Sequence, residues 1–478
     1  MTKNDYTVTC ARARIGPEKR DGDGYFTVTD PYRGDVVGTV PFSTARDCDD
    51  AVMAASGARA LMAAMPGYER SAMLRRAADE VELRARGIGV TMARETGKAL
   101  RDCVTEVVRS ADTLRLSAEE AVRIQGEHIP MDASAIGAGK LAVTVRFPVG
   151  VVAAITPFNG PVNLASHKIG PALAAGNSVV LKPSPKASLS TFLFVEAFAA
   201  AGLPDGALNA IYGDAVAEQL VIDPRVDFVT FTGSIAVGKR IRGLIGLKPV
   251  TLELGGVGPT FVHEDADVGI AAAACGRNAM LLAGQSCVSV QNVYVAERVY
   301  EEFVERVTSE VANIRFGDPL DEATEVGTLI DEAAALRVAG MVDRASQAGA
   351  TVLCGQERRA AEYAATILSD VRPDMEVVSE EIFGPVMTIS KYNDPGPVFE
   401  AISRSPYGLQ CGMFTNSLEF SMRALRSVRT GGLIVNGTSR WRSDQMPYGG
   451  VKDSGVGNEG PKFAIREMTE ERLLVINV

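Results

Sequence analysis

Three features predict an α/β fold of more than one domain. They are the length of 478 residues, an alternation of apolar runs with helical segments over 150–254, and a second such alternation over 257–445. A chain of this size exceeds one ordinary hydrophobic core, so two or more domains, or one very large one, are expected. The composition, 46% hydrophobic, 23% charged and 6% aromatic, is that of a globular protein and excludes disordered and fibrous classes.

Along the chain, the opening MTKNDYTVTCARARIGPEK lacks the apolar core of a signal peptide. No stretch approaches the roughly 20 apolar residues of a membrane span, so a cytoplasmic protein with no membrane contact is expected. Over 45–124, alanine and leucine recur at three and four with charges between, which predicts a helical layer. Over 150–254 the strands are 150–156, 178–182, 208–212, 226–232 and 249–253, separated by helices such as PVNLASHKIGPALAAG and SLSTFLFVEAFAAAG. Runs apolar on both faces joined by helical crossovers predict a parallel sheet covered on each side, a doubly wound domain. The second alternation, with VQNVYVA, TVLCG, EVVSEEIFGPVMTISKY, GMFTN and GGLIVNG as strands, predicts a second α/β domain. LAVTVRFP and the final ERLLVINV alternate as strands. Terminal strands of this kind often pair with another subunit, and a homodimer or homotetramer is expected.

The net charge of -10 is spread without a basic stripe, which argues against nucleic-acid partners. Seven cysteines lie far apart with no CxxC pair, as suits free thiols in a reducing compartment. Three histidines without ligand-like spacing give no support for a metal site.

Several short segments can carry chemistry. Gly455, Gly457 and Gly460 spell GxGxxG, but a dinucleotide fingerprint needs an acidic residue about 20 positions further on, and the segment reads as a flexible loop. In FTGSIAVG a strand passes through Gly233 and Ser234 into a helix, whose first N–H groups can hold a pyrophosphate; strand-glycine-helix turns also occur for steric reasons alone. Cys287 in GQSC has small neighbours and can serve as a nucleophile once ionised, although chemistry alone does not single it out among seven cysteines. Glu253 in TLELGG is either a general base or a solvated strand end. Asn159 in TPFNG either donates to an oxyanion or closes a turn.

Taken in order, TPFN, KPS, FTGS, ELGG, GQSC, EEIFGP and MPYGGVKDSG resemble the aldehyde dehydrogenase superfamily over nearly the whole chain. The resemblance implies a dinucleotide-binding domain from 1–122 and 144–254, a catalytic domain from 255–447, and a small β oligomerisation arm from 123–143 and 463–478. It implies oxidation of a small aldehyde with NAD or NADP: Cys287 attacks the carbonyl, the Asn159 amide and the Cys287 N–H hold the oxyanion, and Glu253 activates the hydrolytic water. Lys168 and Glu459 match positions that assist proton release in some members.

For the cofactor, the resemblance places Lys182 and Ser184 at the adenosine ribose and Gly213 near the adenine. Gly233 and Ser234 fall at the pyrophosphate, and Glu381 and Phe383 at the nicotinamide ribose. Thr156, Pro157, Phe158, Phe231, Val237 and Leu254 belong to the same cleft. Many NAD-preferring members carry a glutamate after KPS where this chain has Pro185. Losing that carboxylate removes repulsion against a 2'-phosphate, so NADP is expected to compete with NAD.

Around the aldehyde, Gln285 and Ser286 are implied contacts, and Arg109, Arg440 and Arg442 occupy segments that border the substrate tunnel in related enzymes. Guanidinium groups there suit carboxylate, phosphate or phosphonate tails, or else are solvated or salt-bridged. The pattern is closest to the branch acting on lactaldehyde, succinate semialdehyde or phosphorylated glyceraldehyde. A CoA-acylating dehydrogenase and a non-catalytic protein on the same fold are the alternatives. The ELGG glutamate favours water over CoA, and the presence of Cys287, Glu253 and Asn159 argues for catalysis.

Overall fold

The computed structural model describes residues 9–477. Its largest sheet has the strand order Gly455–Val456, Val250–Glu253, Phe228–Thr232, Val151–Ile155, Ser178–Lys182, Leu208–Ala210, Ala13–Ile15, Glu18–Arg20. The five strands from Val250–Glu253 to Leu208–Ala210 run parallel and are buried along their whole length. Separate apolar cores form on the two faces, as the doubly wound reading predicts. The first of these strands in sequence, Val151–Ile155, lies mid-sheet, and later strands add to either side of it. The order reverses between Val151–Ile155 and Phe228–Thr232, which opens a crevice at their carboxyl ends.

The layer expected over 45–124 consists of helices Ala45–Ala64, Gly67–Leu83, Ala85–Thr96 and Leu100–Glu120. One of them fixes the start of the next sheet-covering helix, Pro161–Ala174. Proline at its first position forfeits no helical hydrogen bond. The Glu106 carboxylate accepts the free N–H groups of Val162 (3.0 Å) and Asn163 (3.1 Å), and also pairs with the buried Lys98.

The second α/β unit has the strand order Thr351–Cys354, Thr366–Ser369, Val386–Tyr392, Asn292–Ala296, Thr260–Val262, Gln410–Phe414, Gly432–Val435. One expected strand is corrected here. The segment 376–392 is a short helix, Glu376–Ser379, then an irregular stretch and only then the strand Val386–Tyr392. Side chains of the neighbouring strand region satisfy the irregular backbone in place of a ladder. Gln291 Nε2 donates to the carbonyls of Val377 (3.1 Å) and Glu380 (2.7 Å), and Asn292 Nδ2 to that of Val378 (3.0 Å).

The GxGxxG segment is likewise not a free loop. Gly455–Val456 pairs antiparallel with Val250–Glu253, and Gly460 leads into helix Pro461–Glu467. Tyr448 and Glu459 exchange backbone hydrogen bonds beside it.

The two outlying strands pair with each other: Thr469–Asn477 runs antiparallel to Lys140–Pro148, which also pairs with His128–Ile129. The strand Lys140–Pro148 crosses the expected boundary at 143, and helix Pro461–Glu467 crosses that at 463. The outer edge of Thr469–Asn477 has no partner among the described residues, and Leu473, Leu474, Val475 and Ile476 on it are exposed. No helix among the described residues is long and apolar enough to cross a membrane.

Replacing Glu106 by alanine leaves two helix-start N–H groups and a buried lysine without their acceptor. Breaking such a buried pair typically costs about 3–5 kcal/mol. Thermal unfolding of E106A is expected to show a large fall in Tm, and an unchanged Tm contradicts this role.

Candidate active site

The crevice at the switch point is the mouth of a cavity of about 760 Å³. Cys287, Glu253 and Asn159 all line it. So do Thr156, Pro157, Phe158, Lys182, Ser184, Pro185, Phe231, Gly233, Ser234, Val237, Leu254, Glu381 and Phe383. Of the expected cofactor contacts, Gly213 alone is not on the wall. It turns the chain at φ 92°, and its neighbour Asp214 lines the cavity instead.

Cys287 is presented by a backbone that few residues tolerate. Leu282, Ala283 and Gly284 all have positive φ, at 60°, 51° and 68°. At Gly284 an added Cβ would lie 1.9 Å from the Gly384 carbonyl oxygen, so only glycine fits. The sulfur sits in a small apolar cluster with Val288, Leu409, Tyr448 and Met446, and it lies 3.3 Å from the Tyr448 hydroxyl. Burial pushes the thiol up to about 12, while the Tyr448 contact pulls it down.

Asn159 follows the strand Val151–Ile155, and its Nδ2 donates to the Gln285 carbonyl (2.9 Å). That bond fixes the amide against the turn carrying Cys287 and leaves its second N–H uncommitted. The Gln285 side chain is committed to backbone. Its Oε1 accepts from Ile330 N (2.9 Å) and its Nε2 donates to the Leu282 carbonyl (3.1 Å), and Gln285 is not part of the cavity wall. Ser286 is half-buried and off the cavity wall.

Glu253 ends its strand with both carboxylate oxygens buried and unpartnered. Burial, and then the charge of Glu459, raise its proton affinity well above the usual carboxylate range. Glu459 is the opposite case. Burial disfavours its charge, yet Lys168 Nζ on Oε1 (2.9 Å) and Arg442 Nη2 on Oε2 (3.0 Å) hold it ionised. Lys168 also donates to Thr230 Oγ1 (3.0 Å). Two carboxylates with divergent proton affinities, one beside a nucleophile, are an acid–base arrangement.

The three arginines differ in what they face. Arg109 pairs with Asp444, which also contacts His167 Nε2 (2.9 Å). Arg442 is committed to Glu459 and stacks over the Tyr448 ring, 3.8 Å from its centroid. Arg440 forms no ion pair among the described residues, and its Nε is buried without an acceptor. None of the three lines the large cavity itself.

At the nucleotide side, Lys182 donates to Asp214. Ser234 caps helix Ile235–Leu244 by accepting from Val237 N, and Gly233, Ser234 and Val237 at this helix start line the cavity. Gly255 approaches Glu381 so closely that a Cβ would lie 2.3 Å from its carboxylate. The Glu381 carboxyl is pushed up to about 7 by burial, against the Gly256 N–H that it accepts (3.3 Å). This wall has the volume, the helix start and the polar groups that a dinucleotide needs.

The family model described as the aldehyde dehydrogenase family matches residues 18–474. The chain belongs to the aldehyde dehydrogenase family. It is therefore an oxidoreductase that oxidises an aldehyde with NAD or NADP. It is 44% identical over 453 residues to a 3-sulfolactaldehyde dehydrogenase of Priestia aryabhattai, covering 94% of each chain. The crystal structure of aldehyde dehydrogenase 21 from Physcomitrella patens, in complex with the reaction product succinate, superposes with a TM-score of 0.95 at 37% identity, covering 98% of this chain and 99% of that one. The NADP-dependent glyceraldehyde-3-phosphate dehydrogenase of Bacillus halodurans, complexed with NADP, gives a TM-score of 0.95 at 34% identity with the same coverage.

Tyr448, Asp444, His167 and Asp214 were not singled out in the sequence. The first two lie inside or beside the MPYGGVKDSG motif, so position in a motif was an available signal. Asp214 follows Gly213 directly. Nothing in the sequence marks His167, whose contact with Asp444 spans 277 residues.

Proposed function

We propose that this dehydrogenase oxidises a short anionic aldehyde through a covalent adduct on Cys287. The observation carrying this reading is that Cys287, Asn159 and Glu253 share one cavity with Lys182, Ser184 and Ser234. The Cys287 thiolate adds to the carbonyl carbon and gives a thiohemiacetal whose oxygen is anionic. The uncommitted N–H of Asn159 and the backbone N–H of Cys287 receive that oxygen, each such donor being worth about 2.7–4 kcal/mol. When bound, the nicotinamide cofactor supplies the hydride acceptor for the adduct carbon. Water then cleaves the thioester left on Cys287, and Glu253, with no protein partner competing for its oxygens, takes the proton of that water. Lys168 and Glu459 assist release of the proton.

The arginines support an anionic tail. Arg109 and Arg442 already hold carboxylates, whereas Arg440, behind the cavity wall but close enough to interact with the Cys287 sulfur, forms no ion pair among the described residues and is the cation for a sulfonate, carboxylate or phosphate group. A singly charged tail matches one uncommitted guanidinium best. The names of the relatives, with sulfolactaldehyde and succinate among them, lend the same support. A cytoplasmic home suits the seven free cysteines, and the exposed edge strand Thr469–Asn477 suits contact with a second copy in a dimer or tetramer.

A panel of three- and four-carbon aldehydes, assayed for acid and reduced cofactor, tests the substrate. The wild type is expected to favour the anionic members, and R440A to raise their KM by about tenfold or more while sparing neutral aldehydes of equal length. Equal KM values in both proteins contradict the tail site.

NADP remains competitive on the strength of Pro185, while Asp214 beside Lys182 opposes a 2'-phosphate. D214N is expected to shift the ratio of kcat/KM toward NADP by about tenfold, since removing like-charge repulsion at close range is worth more than a kcal/mol. No shift contradicts the role of Asp214.

A further inference from the structure

Tyr448 has no part in the mechanism above, yet its oxygen lies 3.3 Å from the reacting sulfur. The ring is buried, 4% exposed. Its backbone is pinned by two hydrogen bonds with Glu459, N to O at 3.2 Å and O from N at 2.7 Å. The face of the ring is covered by the Arg442 guanidinium, which Glu459 also holds. One carboxylate thus positions both the phenol and the cation above it.

We infer that Tyr448 is a catalytic residue, the hydrogen-bond donor that stabilises the Cys287 thiolate. This rests on Cys287 being the nucleophile. The Cys287 sulfur is faced by Glu253 at a strand end and by Glu381 on the loop after Glu376–Ser379. On the segment that carries Tyr448 it is faced by Arg442 and Arg440. The two carboxylates oppose ionisation of the thiol, and burial opposes it most. A phenol O–H pointing at the sulfur favours the anion without carrying a charge of its own. The cation over the ring draws density from the phenol and strengthens it as a donor. Burial holds the Tyr448 hydroxyl protonated far above neutral pH, so it stays a donor throughout the working range. As the thiolate becomes a thioether-like sulfur in the adduct, it needs that bond less. The donor therefore acts on the free enzyme and on the expelled thiolate at the end of the cycle.

Y448F deletes one oxygen, whose hydrogen-bond partner among the described residues is the Cys287 sulfur, and it keeps the ring under Arg442. The reading is the pH profile of iodoacetamide labelling at the Cys287 peptide, followed by mass spectrometry. A midpoint raised by about one unit in Y448F is expected to read as labelling about tenfold slower at every pH from about 6 to 9, with equal labelling of Cys287 in the two urea-unfolded proteins. kcat/KM is expected to fall by the same factor, while cofactor affinity stays constant. Equal labelling rates in the folded proteins, that is, a midpoint that does not move, or a loss of kcat/KM much larger than the loss of labelling, overturns the inference. C287S separates the two levels of the argument: full turnover in C287S overturns the nucleophile itself, whereas an inactive C287S with an unmoved Y448F midpoint overturns only the role of Tyr448.

Discussion

The ionised Glu459, buried between Lys168 and Arg442, is the interaction on which the rest of the site depends. It joins helix Pro161–Ala174, which carries Lys168, and the segment before MPYGGVKDSG, which carries Arg442, to the turn after strand Gly455–Val456. A carboxylate with 2% exposure persists as an anion only with partners on both oxygens, and it has them. Its charge has a reach. It raises the proton affinity of Glu253, and the pairing with Arg442 sets that guanidinium over the Tyr448 ring. A buried negative group thus tunes a base on one side and a phenol on the other.

The same economy of partners explains the substrate side. Asp444 engages both Arg109 and His167, and burial together with the nearby Arg442 keeps the imidazole toward its neutral form. Arg109 and Arg442 are thus neutralised inside the protein, whereas Arg440 forms no ion pair among the described residues. At the nucleotide side, Asp214 neutralises Lys182 in the same manner, at a rim where its own side chain is 74% exposed.

Local signals carried much of this. Apolar runs located all five parallel strands of the first sheet, since buried strands read the same on both faces, whereas Cys287, Glu253 and Asn159 are singled out only through the resemblance that GQSC, ELGG and TPFN carry together. The helix Glu376–Ser379 reads as a strand because its two valines suit either state, and the side chains that stabilise it, Gln291 and Asn292, lie more than eighty residues away. The bond from Ile330 N to the Gln285 amide, across 45 residues, has no counterpart in the local pattern around GQSC. Tyr448 and Glu459 are paired by a backbone bridge between irregular segments, for which no periodicity exists. Ion pairs such as Arg109 with Asp444, 335 residues apart, leave no mark on sequence pattern.

The central claim is that an acyl group is held on Cys287 until Glu253 delivers water to it. Glu253→Gln keeps the shape of the site and removes the base. Mixed with aldehyde and cofactor, this variant is predicted to release one equivalent of reduced cofactor per site in a burst and then stall, with the acyl mass found on the Cys287 peptide. Steady turnover at the wild-type rate, or a stalled enzyme with no mass added at Cys287, contradicts the account.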